Sequence, residues 1–519
     1  MDLSVMVTAG LPKQDALMGD NYHITLNQSM QNLLGEIHRG SQNFSHLINI
    51  FYQLMQAKID PPLESIWFYS ALSFCSHRSP DEDTLNRISE TKGLFHLIST
   101  CSGSCNPIKS VALLAPVVLH LYKLVLELQG KNLSSKRERK AMREAKSLIE
   151  GILGCISLCG NMKLTEGKTG ADLSLIMPVA DLVRVWTEGN EGLESFFPLV
   201  SGKIHSKISG DDCDVNYLAG AVILEAFLLK LCLDFRGEVA RTYLEELKSW
   251  AVGSITGFRN LYFFDILVSM LLESSLPVTS LLGSENVVQL KKVLYDAVIL
   301  VEYSFLNPKM DINQPVEFMK DLAIKRLIIT QEGIKCARED GDQKRALSYT
   351  SSFSNSRLSS QLMKWFQTGE SWKNGSSPKA FIQWLLDLER QSIKVFGDSL
   401  LKHHARLAID NSRADYKQKL SNGEVKEIDA DILFYIDDEG EGTDREEDET
   451  RSETISSAFI TAARSMKWKE NKRRKREETG GAEKKERVKY DLGYGYDTPS
   501  GRFSDDPNSE SEVDDPVSD

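Results

Sequence analysis

The sequence predicts an all-α protein. Apolar residues recur at three- and four-residue spacing through most of the first four hundred positions. The breaks between these stretches carry Gly, Pro, Asn or Asp, and alternating β-branched runs bounded by turns are almost absent. Antiparallel helix pairs recurring loosely, with several helices apolar nearly all round, favour an irregular armadillo/HEAT-like helical solenoid; a compact multi-helix bundle is the alternative. Three regions follow: a flexible N-terminus over 1–22, a helical body over 23–410 and a largely disordered tail over 411–519.

The first periodic stretch, MQNLLGEIHRGSQNFSHLINIFYQLMQ, places Leu33, Leu34 and Ile37 on one face and Phe44, Leu47, Ile48, Phe51 and Leu54 on the next. Pro61 and Pro62 end it, since proline lacks the N–H and clashes with the preceding turn. SPDEDTLNRI predicts a helix start, with Ser79 as cap, Pro80 in the first turn and Glu82 completing a capping box. Further helices are expected over 107–128, 136–159, 172–188, 213–234, 237–252, 257–274, 286–305, 314–337, 357–367 and 378–407. The stretch 348–378, rich in Ser, Asn and Gly, reads as a loop; the sharper alternative is a partner-docking patch carried by Trp365, Phe366 and Trp372.

Charge divides the chain. The whole carries a formal net charge of -12. The tail from Asp431 onward has 25 acids and 15 bases, leaving the body nearly neutral. A nearly neutral body offers no broad positive field for a phosphate backbone. The N-terminus has neither the basic nor the long apolar segment of a secretory signal, and the most apolar runs are interrupted by His120, Lys123, Glu225 and Lys230. They read as helices buried in protein, so no membrane association is expected. The eight cysteines lie mostly in apolar stretches and read as reduced core thiols. Cys155 and Cys159, or Cys101 and Cys105 with His96, have a spacing that can chelate zinc, but the apolar surroundings favour a helical core. His403 and His404 are adjacent and point about 100 degrees apart on a helix, so they do not serve one metal. No phosphate-binding glycine loop, HExxH or GxSxG is present. No cofactor is expected, and the chain does not read as an enzyme.

Two basic clusters remain. Lys136, Arg137, Arg139, Lys140 and Arg143 ride on the first turns of a helix, where cations oppose the dipole; they read as a solvated face or as a contact patch for nucleic acid or an acidic partner. Lys472, Arg473, Arg474, Lys475 and Arg476, followed by Lys484, Lys485 and Arg487, read as a nuclear localisation signal for importin, the alternatives being a charge-balanced solvated tail and nonspecific nucleic-acid contact. The acidic run 437–450 before it has too few apolar residues to offset chain entropy. Ser509 and Ser511 each have an acid three residues on, which suits acidophilic kinases.

SVALLAPVVLHLYKLVLEL, MPVADLVRVW, GFRNLYFFDIL and SAFITAARSMKWKENKRRKR together resemble plant nuclear armadillo-type proteins. More narrowly, the chain resembles the helical loader subunits of the structural-maintenance-of-chromosomes five–six complex. The resemblance implies a non-catalytic, partner-binding scaffold on chromatin, acting in DNA repair within a multi-subunit nuclear complex. It carries over no functional residues. The alternative is a nucleic-acid-associated factor in RNA processing or ribosome biogenesis that uses both basic clusters directly.

Overall fold

A computed structural model describes residues 20–41, 43–57, 61–76, 83–102, 106–130, 135–161, 197–200, 204, 214–235, 241–307, 315–366 and 377–409. Most of these residues are helical, with no strand among them. The tail, its basic block and Ser509 and Ser511, the helix expected over 172–188, the Ser79 capping box and Trp372 lie outside the described residues.

The described residues begin with α1 (Asp20–His38), α2 (Ser45–Gln56), α3 (Leu63–Ser76) and α4 (Thr84–Cys101). The first periodic stretch is therefore two helices. Gly40 has φ +70, Ser41 N–H donates to Glu36 O and Gly40 N–H donates to Ile37 O. That pairing closes the end of α1 in a turn that needs a left-handed residue. The facing pattern survives the break: Leu33, Leu47, Phe51 and Leu54 are all buried.

Next come α5 (Pro107–Ala112), α6 (Ala115–Gly130) and α7 (Lys136–Asn161). Asn106 caps α5 by accepting from Ile108 N–H at 2.9 Å, with Pro107 at the first helical position. Beyond the residues left undescribed lies α8 (Val215–Asp234), capped by Asp214, which accepts from Asn216 N–H at 2.9 Å. Two stretches, Pro107–Gly130 and Val215–Asp234, are long and apolar enough to cross a membrane, but 78% and 89% of those windows are buried inside the protein. They are core helices. α8 is covered by α5, α6 and α7 and by α10 (Leu261–Leu271). Its closest approach is at Gly220, where an added Cβ would lie 2.9 Å from the Phe263 nitrogen and 2.9 Å from the Tyr262 carbonyl carbon.

Between them, α9 (Arg241–Phe258) packs on α7, and α11 (Ser284–Ile299) packs on α9. After a short 3-10 turn, Ser304–Leu306, the chain enters α12 (Val316–Glu339), α13 (Gln343–Asn355), α14 (Leu358–Phe366) and α15 (Pro378–Arg390). The last helix among the described residues, α16, spans 399–409. The first part of the stretch read as a loop is thus the end of α13, while α14 matches the helix expected over 357–367. Asp342 caps α13 by accepting from Arg345 N–H, and the apolar residues Ala346, Tyr349, Phe353, Leu358 and Leu362 are spaced to face inward. High serine content hid that stripe. Phe366 is buried beneath the Lys320 ammonium, 4.9 Å from the ring centroid, and Trp365 packs on the core, so neither forms an exposed aromatic patch.

The single helix expected over 378–407 also breaks. Ser392 has φ +67, and the Glu389 carboxylate accepts from Val395 N–H at 2.7 Å and Phe396 N–H at 3.4 Å. The body has two apolar clusters. Met319, Leu322 and Ile329 of α12 face the larger one, while Ala323, Ile324, Leu327 and Ile328 face a second one built with α13 to α16. One helix therefore serves both.

Candidate docking cleft and basic helix face

Ser135 and Glu138 answer why a helix begins with cations. Ser135 Oγ accepts from Glu138 N–H at 3.0 Å, and Glu138 Oε2 accepts from Ser135 N–H at 3.2 Å. This reciprocal capping box satisfies two donors and places an acid at the positive end of the dipole. Arg137 is spoken for: its guanidinium lies 2.7 Å from Asp83, the residue preceding α4. Lys136, Arg139, Lys140 and Arg143 are exposed, and among the described residues none has an ion-pair partner. They lie three and four residues apart, so they form one stripe about 10 Å long at 1.5 Å rise per residue. Lys146, at the far end, lies 3.7 Å from Asp234.

Among the described residues no group of three His, Cys, Asp or Glu could hold a metal ion. Cys101 and Cys336 are half-buried, with thiols pushed up by burial, and Cys105 lies outside the described residues. Cys155 and Cys159 do come together, one turn apart on α7. The hydrogen bond from Cys159, with a second from Ser99, brings the Cys155 thiol down to about 7 and outweighs burial. Cys159 moves upward for the complementary reason. The His403 and His404 rings are 6.3 Å apart on α16, with His403 exposed.

The main buried charges are paired. The Lys230 ammonium meets the Asp234 carboxylate and Glu150 at 3.2 Å; burial opposes its charge, but those acids raise its pKa. Asp296 takes the Tyr349 hydroxyl at 2.6 Å and Arg345 Nε at 3.3 Å. Asp265 meets Lys325 at 2.5 Å. Glu225, in the middle of α8, accepts Leu199 N–H at 2.6 Å, and burial holds its carboxyl well above the usual range.

Two adjoining concavities lie on one side of α11 to α14. The larger, about 750 Å³, runs along α13 and is lined by Leu300, Leu347 and the Ser348, Ser351, Ser352 and Ser356 side of that helix. Leu347 is 67% exposed beside it. The smaller, about 310 Å³, is bounded by Glu302, Tyr303, Leu306, Arg326, Arg357 and Gln361. Glu302 borders both, and Ser356 and Arg357 continue the chain from one to the other.

Arg326 forms the inner wall of the smaller cleft. The side chain is half-buried, with its guanidinium 5.8 Å from the Phe264 ring. Among the described residues its one hydrogen-bond acceptor is the Val301 carbonyl, at 3.4 Å. Burial lowers its pKa, partly offset by Glu302, yet a guanidinium remains charged in proteins. Glu302 is itself exposed and accepts from the Arg357 N–H at 3.3 Å. None of these residues stood out in the sequence. The available signal was a cation inside the apolar helical run LAIKRLIIT, which demands a partner when buried.

No family model matches the chain, and neither does a curated protein or a solved structure.

Proposed function

We propose that this protein is a non-catalytic nuclear scaffold whose helical body binds protein partners in a chromatin or DNA-repair assembly. The observation that carries this reading is the open trough along α13, where an exposed leucine borders a serine-lined groove. An apolar side chain flanked by hydrogen-bonding hydroxyls suits a peptide or a helix of a partner. The body is an irregular armadillo- or HEAT-like stack on this reading. Its contacts pass mainly between helices close in chain order, and α12 separates two successive apolar clusters. The block Lys472 to Arg476, with Lys484, Lys485 and Arg487, supplies nuclear import.

Replacing Lys472 to Arg476 with Ala tests the address: a fluorescent fusion should move from nucleus to cytoplasm. A mutant that stays nuclear refutes the signal. Purification of the tagged protein from nuclei tests the scaffold, and the reading fails if the wild-type chain leaves no reproducible protein companion.

The second reading, a nucleic-acid-associated factor, is favoured by one observation. Lys136, Arg139, Lys140 and Arg143 are exposed on a single stripe and, among the described residues, have no ion-pair partner. Phosphate contacts rest on such cations and need no apolar anchor.

A further inference from the structure

We propose that the cleft around Arg326 anchors a carboxylate side chain of an acidic peptide segment in a partner protein. The inference rests on the scaffold reading and names its recognition chemistry.

The argument starts from an imbalance at Arg326. A guanidinium has five N–H donors in a planar fork. Here one donor meets the Val301 carbonyl at 3.4 Å, a long contact, and the flat face lies near Phe264. The remaining donors border a cleft of about 310 Å³. Desolvating a cation is costly unless it is paired, and the other buried charges described above have close partners. Among the described residues Arg326 is the exception, and it lines a cavity.

The cleft selects for negative charge. Arg326 and Arg357 contribute two positive charges against one from Glu302, and Gln361 adds an amide. Glu302 is exposed and attracts Arg326 without bonding to it, so it can yield to a better-placed carboxylate. A carboxylate matches the fork in two-point geometry. Tyr303 turns away, donating its hydroxyl to Ala297 O at 2.9 Å, so its ring forms an apolar wall together with Leu306. That wall suits the methylene stem of Asp or Glu.

The occupant is a peptide because the cleft does not stand alone. Glu302 also borders the groove of about 750 Å³ along α13, and Ser356 of that groove adjoins Arg357 of the cleft in the chain. Serine hydroxyls there can meet a backbone, and Leu347 can meet an apolar neighbour of the anchoring acid.

The test uses the full chain and two pools of blocked, fluorescent nonapeptides. One pool has Asp or Glu fixed at the centre, the other Asn or Gln, and the flanking positions are randomised without charged residues. The acidic pool should bind about tenfold or more tightly than the amide pool, the scale of a hydrogen-bonded charge. Arg326→Met keeps the apolar stem and should abolish the preference; its melting curve checks folding. Glu302→Gln, on the surface, removes the competing carboxylate and should tighten acidic binding, which decides the matter should Arg326→Met unfold. Arg406→Met removes one exposed cation elsewhere and should change nothing. Equal binding of both pools overturns the proposal, as does a preference that survives Arg326→Met or weakens in Glu302→Gln. Stabilisation by inorganic phosphate alone, with no peptide binding, also overturns it by making this a small-anion site. Partners co-purifying equally with wild type and Arg326→Met defeat the cleft but leave the scaffold standing. A wild-type chain with no partner defeats the scaffold.

Discussion

Replacing Gly220 by Ala should destabilise the protein, whereas the same change at Gly253 should stabilise it. Both glycines lie inside helices, so helix propensity alone favours Ala at each by roughly 0.5–1 kcal/mol. Packing separates them. A Cβ at Gly253 meets nothing within 4 Å. A Cβ at Gly220 would sit 2.9 Å from two backbone atoms of α10, with Ile266 Cδ1 at 3.0 Å. Backbone atoms have no rotamer to escape into, so α8 and α10 must separate. A gap of 0.5–1 Å forfeits roughly a quarter to a half of each dispersion contact along the seam. Overpacking of this kind costs about 1–3 kcal/mol, more than the propensity gain. The expected net loss is about 1–2 kcal/mol at Gly220, against a gain of about 0.5–1 kcal/mol at Gly253. Urea unfolding followed by tryptophan fluorescence reads both, since Trp250 stacks on Phe227 of α8 at 5.5 Å. A Gly220→Ala protein as stable as the wild type would refute the close approach of these helices.

Ser392→Gly should stabilise by roughly 1 kcal/mol, because a non-glycine residue at φ +67 carries the left-handed penalty; an unchanged urea midpoint refutes this. Glu225 has a raised pKa in the folded state, so its contribution is fully present below its unfolded value of about 4.3 and is lost as pH rises through the folded value. Stability of the wild type relative to Glu225→Gln should therefore fall with rising pH, and parallel stability curves between pH 5 and 9 would contradict it. Converting Lys136, Arg139, Lys140 and Arg143 to Gln should leave melting nearly unchanged and flatten the salt slope of any duplex-DNA binding by about 3–4. Undetectable DNA binding by the wild type at low salt would reduce the stripe to a solvated helix face.

Helices were legible where a single apolar stripe decides the local structure. The stripe Leu47, Phe51 and Leu54 can be read directly, because the physics involved spans only a few turns of helix, whereas the caps Asn106 and Asp214 went unread. The breaks at Gly40 and Ser392 were missed for opposite reasons. Gly40 interrupts a pattern that resumes in phase, and Ser392 adopts a left-handed turn that its own side chain does not favour. Glu389 instead supports the loop from one turn earlier. The α13 helix was masked by serines on its outer side, which suppressed a sparse inward stripe. The basic face at Lys136 was visible as composition, but its capping box and the removal of Arg137 by Asp83 were not separated from it. The Arg326 cleft was not legible, since Glu302, Arg326 and Arg357 meet only through tertiary packing.

Burial of α8 on every side has a consequence for synthesis of the chain. The surfaces of α5, α6 and α7 that enclose it leave the ribosome first, and α10 on the opposite side leaves last. At 5–20 residues per second, the interval between completion of α7 and completion of α10 is on the order of ten seconds. Until α8 emerges within that interval, the apolar surfaces of α5, α6 and α7 that pack on it lack that cover. Nascent chains halted before Val215 should therefore recruit chaperones and be degraded, while in those halted well beyond Leu271 the helices α5 to α8 and α10 should resist protease. Folding of the N-terminal half waits on a segment translated after it.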